Sequence, residues 1–223
     1  MPFIRSREPS LAGGTSSARR LFSTLRQLPL RHFTIPPTPL PSIPPQLIFD
    51  IVTDVTSYQT FVPHVTSSCN VTPLLSRSEI TFTPTSQHPP LPPDTVRYKK
   101  SFHADLTIGY PSLGLTDTYT SKVVCHKHAE GGREGGSDAP VEYTVLARDC
   151  GNSKYFQGLG SLWSIRPLGE GEGSCVEFSV WYTVAGTGVA ARSVDFVVQQ
   201  GMEEIARRQM EAFISQCKRV NGS

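Results

Sequence analysis

The chain is predicted to adopt an α+β fold, a curved antiparallel sheet of about seven strands wrapped on one long C-terminal helix in a helix-grip arrangement. Three features carry that expectation. Period-two alternation dominates the chain from residue 101 to residue 184. A proline-started helix precedes those strands at Pro44-Pro45, and a helical apolar stripe closes the chain from about Ser193 to Lys218.

The elements follow in order. The first 33 residues carry Arg5, Arg7, Arg19, Arg20, Arg26 and Arg31 with one acid, Glu8, among many serines, the composition of a mitochondrial transit peptide. Arg20-Leu21-Phe22-Ser23 resembles a site cut by matrix processing peptidases, and Arg31-His32-Phe33-Thr34 is a weaker copy. Residues 1–33 are therefore expected to be a disordered transit peptide and 34–220 the folded domain, with a first weak strand signal over 31–36.

Next comes the short helix, whose Leu47, Ile48, Ile51, Val52 and Val55 recur at spacings of three and four to give one apolar face. Tyr58, Phe61 and Val62 follow as an apolar elbow closed by Pro63, and something apolar must cover it. Strand signals then cover 65–75, 101–108, 115–127, 141–149, 156–167 and 175–184. In the strand over 175–184, Val176, Phe178, Val180, Tyr182 and Val184 take the buried face, which leaves Trp181 on the opposite face, external or at a rim. Proline density over Pro84 to Pro93 and glycine over Glu130 to Pro140 and Gly169 to Gly173 mark surface insertions.

Gly186-Thr187-Gly188 lacks the third glycine and the parallel context of a phosphate turn and is expected to be a strand-to-helix hinge. In the last helix Val194, Val197, Val198, Gly201, Met202, Ile205, Ala212 and Phe213 fall on one face, with Gln209 as its interior polar interruption. Glu203 with Arg207 and Glu204 with Arg208 pair across the other face. A helix lying on a strongly curved sheet leaves a cavity between the two, and that cavity is the candidate site.

Several chemistries are not supported. A net charge of +2, with no basic stripe interleaved with aromatics, argues against nucleic acid. Five cysteines without a C-x-x-C point to neither a disulfide framework nor a zinc ribbon and fit a reducing compartment. His126 and His128 could share a strand face near Cys125, yet no further ligands are evident, so no metal site is expected. Asp50 and Asp54 are read as solvated acids of one helix face, and no Ser, His and Asp set can be assembled, so no catalytic residue is assigned. No apolar run reaches the roughly 18 residues of a membrane span.

The order of elements resembles the START or polyketide-cyclase-like superfamily, and within it the mitochondrial coenzyme Q-binding proteins. The resemblance rests on Phe49-Asp50-Ile51-Val52-Thr53-Asp54-Val55 with Tyr58-Gln59-Thr60-Phe61-Val62-Pro63, on Ala104-Asp105-Leu106-Thr107-Ile108-Gly109-Tyr110, on Leu162-Trp163-Ser164-Ile165-Arg166-Pro167 and on Met210-Glu211-Ala212-Phe213. It covers roughly residues 31–218, and the Tyr-x-x-Phe-Val-Pro elbow is its most specific part. Tyr110 departs from it, standing where a phenylalanine is more usual. The resemblance implies a non-enzymatic lipid chaperone that holds ubiquinone, without a catalytic cofactor, and supports respiration and quinone synthesis. It implies a location on the matrix side of the inner mitochondrial membrane, with peripheral membrane contact and with quinone-biosynthesis or respiratory complexes as partners.

Carried over, Leu106 and Trp163 would contact the quinone, with Ile108 and Tyr110 in the same motif region, while Tyr58, Phe61 and Val62 would line the entrance. Val194 and Val198, near the start of the last helix, are expected to meet that entrance. The alternative is a cyclase or aromatase-like enzyme on the same fold, which inward-pointing His103 or Glu177 would favour; their phase in the alternation places both outward.

Overall fold

A computed structural model of the protein describes residues 28–74, 96–110, 115–129, 141–169 and 172–222. The Arg-rich segment over 1–27, the Pro-rich stretch over 84–93 and the Gly-rich stretch over 130–140 lie outside the described residues, as do 170 and 171 within the third expected loop. Seven strands form one antiparallel sheet in the order β1-β7-β6-β5-β4-β3-β2. They are β1 (Arg31–Pro41), β2 (Val65–Pro73), β3 (Val96–Tyr110), β4 (Leu115–Ala129), β5 (Val141–Asp149), β6 (Phe156–Pro167) and β7 (Gly173–Val184). The helices are α1 (Pro45–Thr53), which a 3-10 turn over Val55–Thr60 continues, and α2 (Gly188–Asn221).

Six of the seven strands follow one another as hairpin neighbours, and the exception determines the architecture. β1 pairs with β7 and β2 with β3, so they form opposite edges of the sheet. The chain must therefore cross the whole sheet between residues 42 and 64, and α1 with its 3-10 turn makes that crossing. Pro45 starts α1 where a missing N–H costs nothing. The crossing begins and ends on residues with positive φ, Ser42 at 65° and His64 at 68°. Left-handed backbone at a non-glycine residue costs about 1–2 kcal/mol. Burial of the adjacent Ile43 and Val62 offsets it.

Registers define the inner face. Across β3, β4, β5, β6 and β7, cross-strand pairing aligns Phe102, Val123, Ala147, Ser161 and Val180 in one row. Cys125, Val145, Trp163 and Phe178 form the next. The buried stripe of α2, Ala191, Asp195, Val198, Met202, Ala206, Met210, Phe213 and Cys217, closes over these rows. Its centre is rotated from the expected face, because Val194 and Ala212 are only half-buried while Ala206, Met210 and Cys217 are buried. The helix also begins at Gly188, ahead of the expected Ser193. Gly186 and Gly188 hold φ of 85° and 86°, so the expected hinge is a pair of left-handed turns that only glycine adopts without strain.

Two further expectations need correction. β1 runs on to Pro41 because its register shifts between Ile35 and Thr38, where Pro36 and Pro37 sit in an edge-strand irregularity that requires no N–H from them. Trp181 does lie on the outer face, yet it is 3% exposed. Its ring lies over Gly160 on the neighbouring strand, where a Cβ would stand 2.5 Å from the ring. A glycine opposite a tryptophan converts an outward position into a buried one.

β1 begins at Arg31, before the expected domain start at 34, and that arginine belongs to the packing. It faces the same side as its register partner Tyr182, and its guanidinium forks onto Asp195 of α2 at 2.7 and 3.2 Å. Asp195 is 7% exposed at its side chain, and the hydrogen bond to its carboxylate raises the Arg31 pKa further. Arg31→Met is expected to destabilise the fold by about 1–3 kcal/mol through a stranded carboxylate, and the double variant with Asp195→Leu to recover most of that loss. Urea denaturation of the two variants beside the wild type measures it.

Candidate functional site

Between the inner face of the sheet, the crossing segment and α2 lies a cavity open to solvent on one side, about 1020 Å³ of atom-free space when its mouth is included. Its wall is built by alternation. β3 contributes Leu106 and Ile108, β4 Tyr119, Ser121 and Val123, β5 Val145 and Ala147, β6 Leu159, Ser161 and Trp163, and β7 Phe178 and Val180. The crossing segment adds Val52, Val55, Tyr58 and Val62, while α2 adds Met202, Ile205, Gln209 and Phe213 at helical spacing.

One end of the cavity is closed by aromatic rings. Phe213 packs on Trp163 at 4.7 Å between centroids, on Phe61 at 5.1 Å and on Tyr58 at 5.2 Å, each close to edge-to-face. Trp163 also leans on Phe178 at 4.3 Å. Offset and edge-to-face contacts of this kind add about 0.5–1.5 kcal/mol per pair beyond the area they bury. Tyr58 donates its hydroxyl to the Val52 carbonyl, and Ser68 donates to the Val55 carbonyl, so the helix end and the elbow are tied down by hydrogen bonds. Burial pushes the Tyr58 phenol well above its ordinary range, and it pushes the Cys125 thiol up to about 12; both are neutral at physiological pH.

Polar groups are few and confined. Ser121, Arg148, Asp149, Ser161 and Gln209 are the polar members of the wall. Burial lowers the Arg148 pKa from its ordinary value, and Asp149 accepts the Gly151 N–H at 2.9 Å. Asp117, also on an inner position, is occupied structurally, since it accepts from the Ser153 hydroxyl at 2.5 Å and the Lys154 N–H at 3.0 Å. His103 and Glu177 sit in the outward phase of their strands, and Glu177 pairs with Arg166 at 3.4 Å. His126 and His128 are stacked at 5.9 Å, and among the described residues no group of three or more His, Cys, Asp or Glu is placed to hold a metal ion. The cysteines at 69, 125, 150, 175 and 217 are free thiols.

Of the residues singled out from sequence, the cavity brings together Tyr58, Val62, Leu106, Ile108 and Trp163. The side chain of Tyr110 lies outside the described residues. Phe61 stands behind the wall, half-buried against Tyr58 and Phe213. Val194 and Val198 do not line the cavity; both pack into the core near the Arg31–Asp195 pair. The elbow meets α2 at Phe213, about 22 Å further along the helix than Val198 at ~1.5 Å per residue. The expected entrance between elbow and helix start is thus not formed, because the crossing segment runs toward the far end of α2. Sequence reasoning placed Phe213 on the helix face but did not select it, and it passed over Tyr119 and Phe178, whose alternation phase alone could have found them.

A family model described as polyketide cyclase / dehydrase and lipid transport matches residues 41–214. The mitochondrial coenzyme Q-binding protein coq10 of Schizosaccharomyces pombe is 29% identical over 128 residues, 57% of this chain and 55% of that protein. The match therefore spans about half the length of that curated relative. Among solved structures, the Zhui aromatase/cyclase from Streptomyces sp. R1128 superposes with a TM-score of 0.55 at 13% identity, covering 85% of this chain and 94% of that one. A protein from Thermus thermophilus superposes with a TM-score of 0.50 at 10% identity, covering 86% and 99%. At such identities the structural likenesses show the fold alone.

Phe213→Ala is expected to cost about 3–5 kcal/mol, since the rings of Tyr58, Phe61 and Trp163 lose their common neighbour. Phe213→Leu should restore more than half of the loss. Chemical denaturation followed by tryptophan fluorescence reads both.

Proposed function

The chain belongs to the polyketide cyclase / dehydrase and lipid transport family, and from that premise we propose that it is a non-enzymatic carrier of a polyprenyl quinone of the coenzyme Q type. The observation that carries this reading is the wall itself: most of its side chains are aliphatic or aromatic, with a small set of polar groups among them. An isoprenoid tail loses nothing on such a wall and gains about 25 cal/mol for each Å² withdrawn from water. A charged substrate would strand its charge against the apolar part at a cost of several kcal/mol.

The printed name of the fission-yeast relative supports ubiquinone as the ligand and the mitochondrion as the location, and the Arg-rich, acid-poor composition of residues 1–33 agrees with import. On this reading the protein works at the matrix side of the inner membrane. It takes quinone from the bilayer and supplies it to respiratory or quinone-modifying complexes. Val189 and Phe196 at the start of α2, 83% and 62% exposed, suit peripheral contact with a lipid surface. An aromatase or cyclase role would require acid–base groups aimed into the cavity, and the two residues whose inward aim would favour it, His103 and Glu177, occupy outward positions.

Protein purified from mitochondria should release a polyprenyl quinone on organic extraction, and Trp163→Ala should lose most of it while retaining its circular-dichroism spectrum. Wild-type protein that extracts without quinone would sink the carrier reading.

A further inference from the structure

Gln209 interrupts an otherwise apolar helix face, and the structure turns that interruption into the cavity. It is half-buried, and no hydrogen bond joins its amide to another described residue. Ser161 is in the same position: it lines the wall, and its hydroxyl has no partner among the described residues. Several neighbouring polar groups are engaged within the protein, while Asp149 leaves Oδ2 without a partner. Tyr58 donates to the Val52 carbonyl, Ser121 reaches the Arg148 carbonyl at 3.5 Å, and Asp149 takes the Gly151 N–H at 2.9 Å.

The two unengaged groups face the same stretch of cavity from opposite sides. Phe213 lies over Trp163. Toward the N-terminus α2 reaches Asp195, which Arg31 holds beside Tyr182. Moving one turn back from Phe213 to Gln209 therefore moves in the same direction as stepping from Trp163 to Ser161, from the Phe178 row to the Val180 row. An amide and a hydroxyl opposed across an apolar space, with no partner of their own among the described residues, are placed to hydrogen-bond a ligand.

We propose that Gln209 and Ser161 form the hydrogen-bonding pole of the cavity and hold the ring oxygens of a quinone headgroup, an assignment that rests on the carrier reading above. The Gln209 amide N–H and the Ser161 hydroxyl donate to a carbonyl or alkoxy oxygen. The Gln209 carbonyl accepts from the hydroxyl of the reduced ring. One amide thus serves both redox forms, and the apolar remainder of the wall takes the isoprene units.

The test uses a ubiquinone with two isoprene units and, beside it, a prenyl hydrocarbon of matched tail length without ring oxygens, each titrated by equilibrium dialysis into the full chain. Gln209→Leu keeps a helix-forming residue and an apolar wall; its fold is checked by circular dichroism and thermal melting. It should weaken quinone binding about 2- to 12-fold, the size of one hydrogen bond, and leave the hydrocarbon affinity unchanged or higher. Ser161→Ala should act in the same sense, and the pair of changes should remove the preference for quinone over hydrocarbon. Wild-type binding of quinone that persists undiminished in the double variant overturns the pole and leaves the carrier reading intact. Parallel losses for quinone and hydrocarbon also overturn it, because they assign Gln209 to shape. A wild type that binds neither probe overturns both.

Discussion

The contact of Phe213 with Trp163, Tyr58 and Phe61 joins the three parts of the molecule that the chain supplies separately. Trp163 comes from the middle of the sheet, Tyr58 and Phe61 from the elbow, and Phe213 from a helix that begins more than a hundred residues after the elbow. None of these parts is self-sufficient. A seven-stranded antiparallel sheet with one apolar face needs a cover, and a helix as long as α2 needs a surface to bury its stripe. Ring packing at one end fixes the helix over the sheet, and a cavity lies between them.

At the opposite end, the Arg31–Asp195 pair and the glycine hinge at 186 and 188 fix where the helix starts. Beyond Phe213 a third tie appears, in which Asn221 donates to the Ser42 carbonyl at 3.2 Å. The crossing segment and α2 are thus bound to the sheet and to each other at their ends, while the middle of α2, from Met202 to Gln209, lies over open space. A ligand can therefore enter the interior without dismantling the contacts that define the fold.

Much of this was legible in the chain. Strict alternation in the strands over 101–108 and 175–184, unbroken by proline, identified inner and outer faces, and the proline at the start of α1 and the helical stripe after Gly188 identified the helices. What escaped depended on residues far apart in sequence. The Asp195–Arg31 pair joins residues 164 apart in the chain, and Trp181 reads as a rim residue until Gly160 is found beneath its ring. The expected entrance paired the elbow with the wrong end of α2, because periodicity gives a helix its faces but not its direction over a sheet. Gln209 was visible as the polar interruption of the apolar helix face, though periodicity alone could not say that this stretch of the face borders a cavity.

The distribution of polarity in the cavity bears on the carrier reading proposed above. Catalysis needs charge aimed at reacting atoms and held there by partners of its own. The carboxylates with defined partners here are directed elsewhere: Asp117 onto the loop at Ser153 and Lys154, Asp149 onto the Gly151 N–H, Asp195 onto Arg31, Glu177 onto Arg166. Arg148 and Asp149 also line the wall; the groups without partners among the described residues include a neutral amide and a hydroxyl, which orient a ring but do not move protons readily, together with aliphatic and aromatic surface. A carrier must also release its cargo. Apolar contact spread over many side chains, supplemented by a small number of neutral hydrogen bonds, holds a lipid without the deep wells that buried ion pairs create; on the proposed reading, an interior built this way releases an isoprenoid quinone as readily as it takes it up.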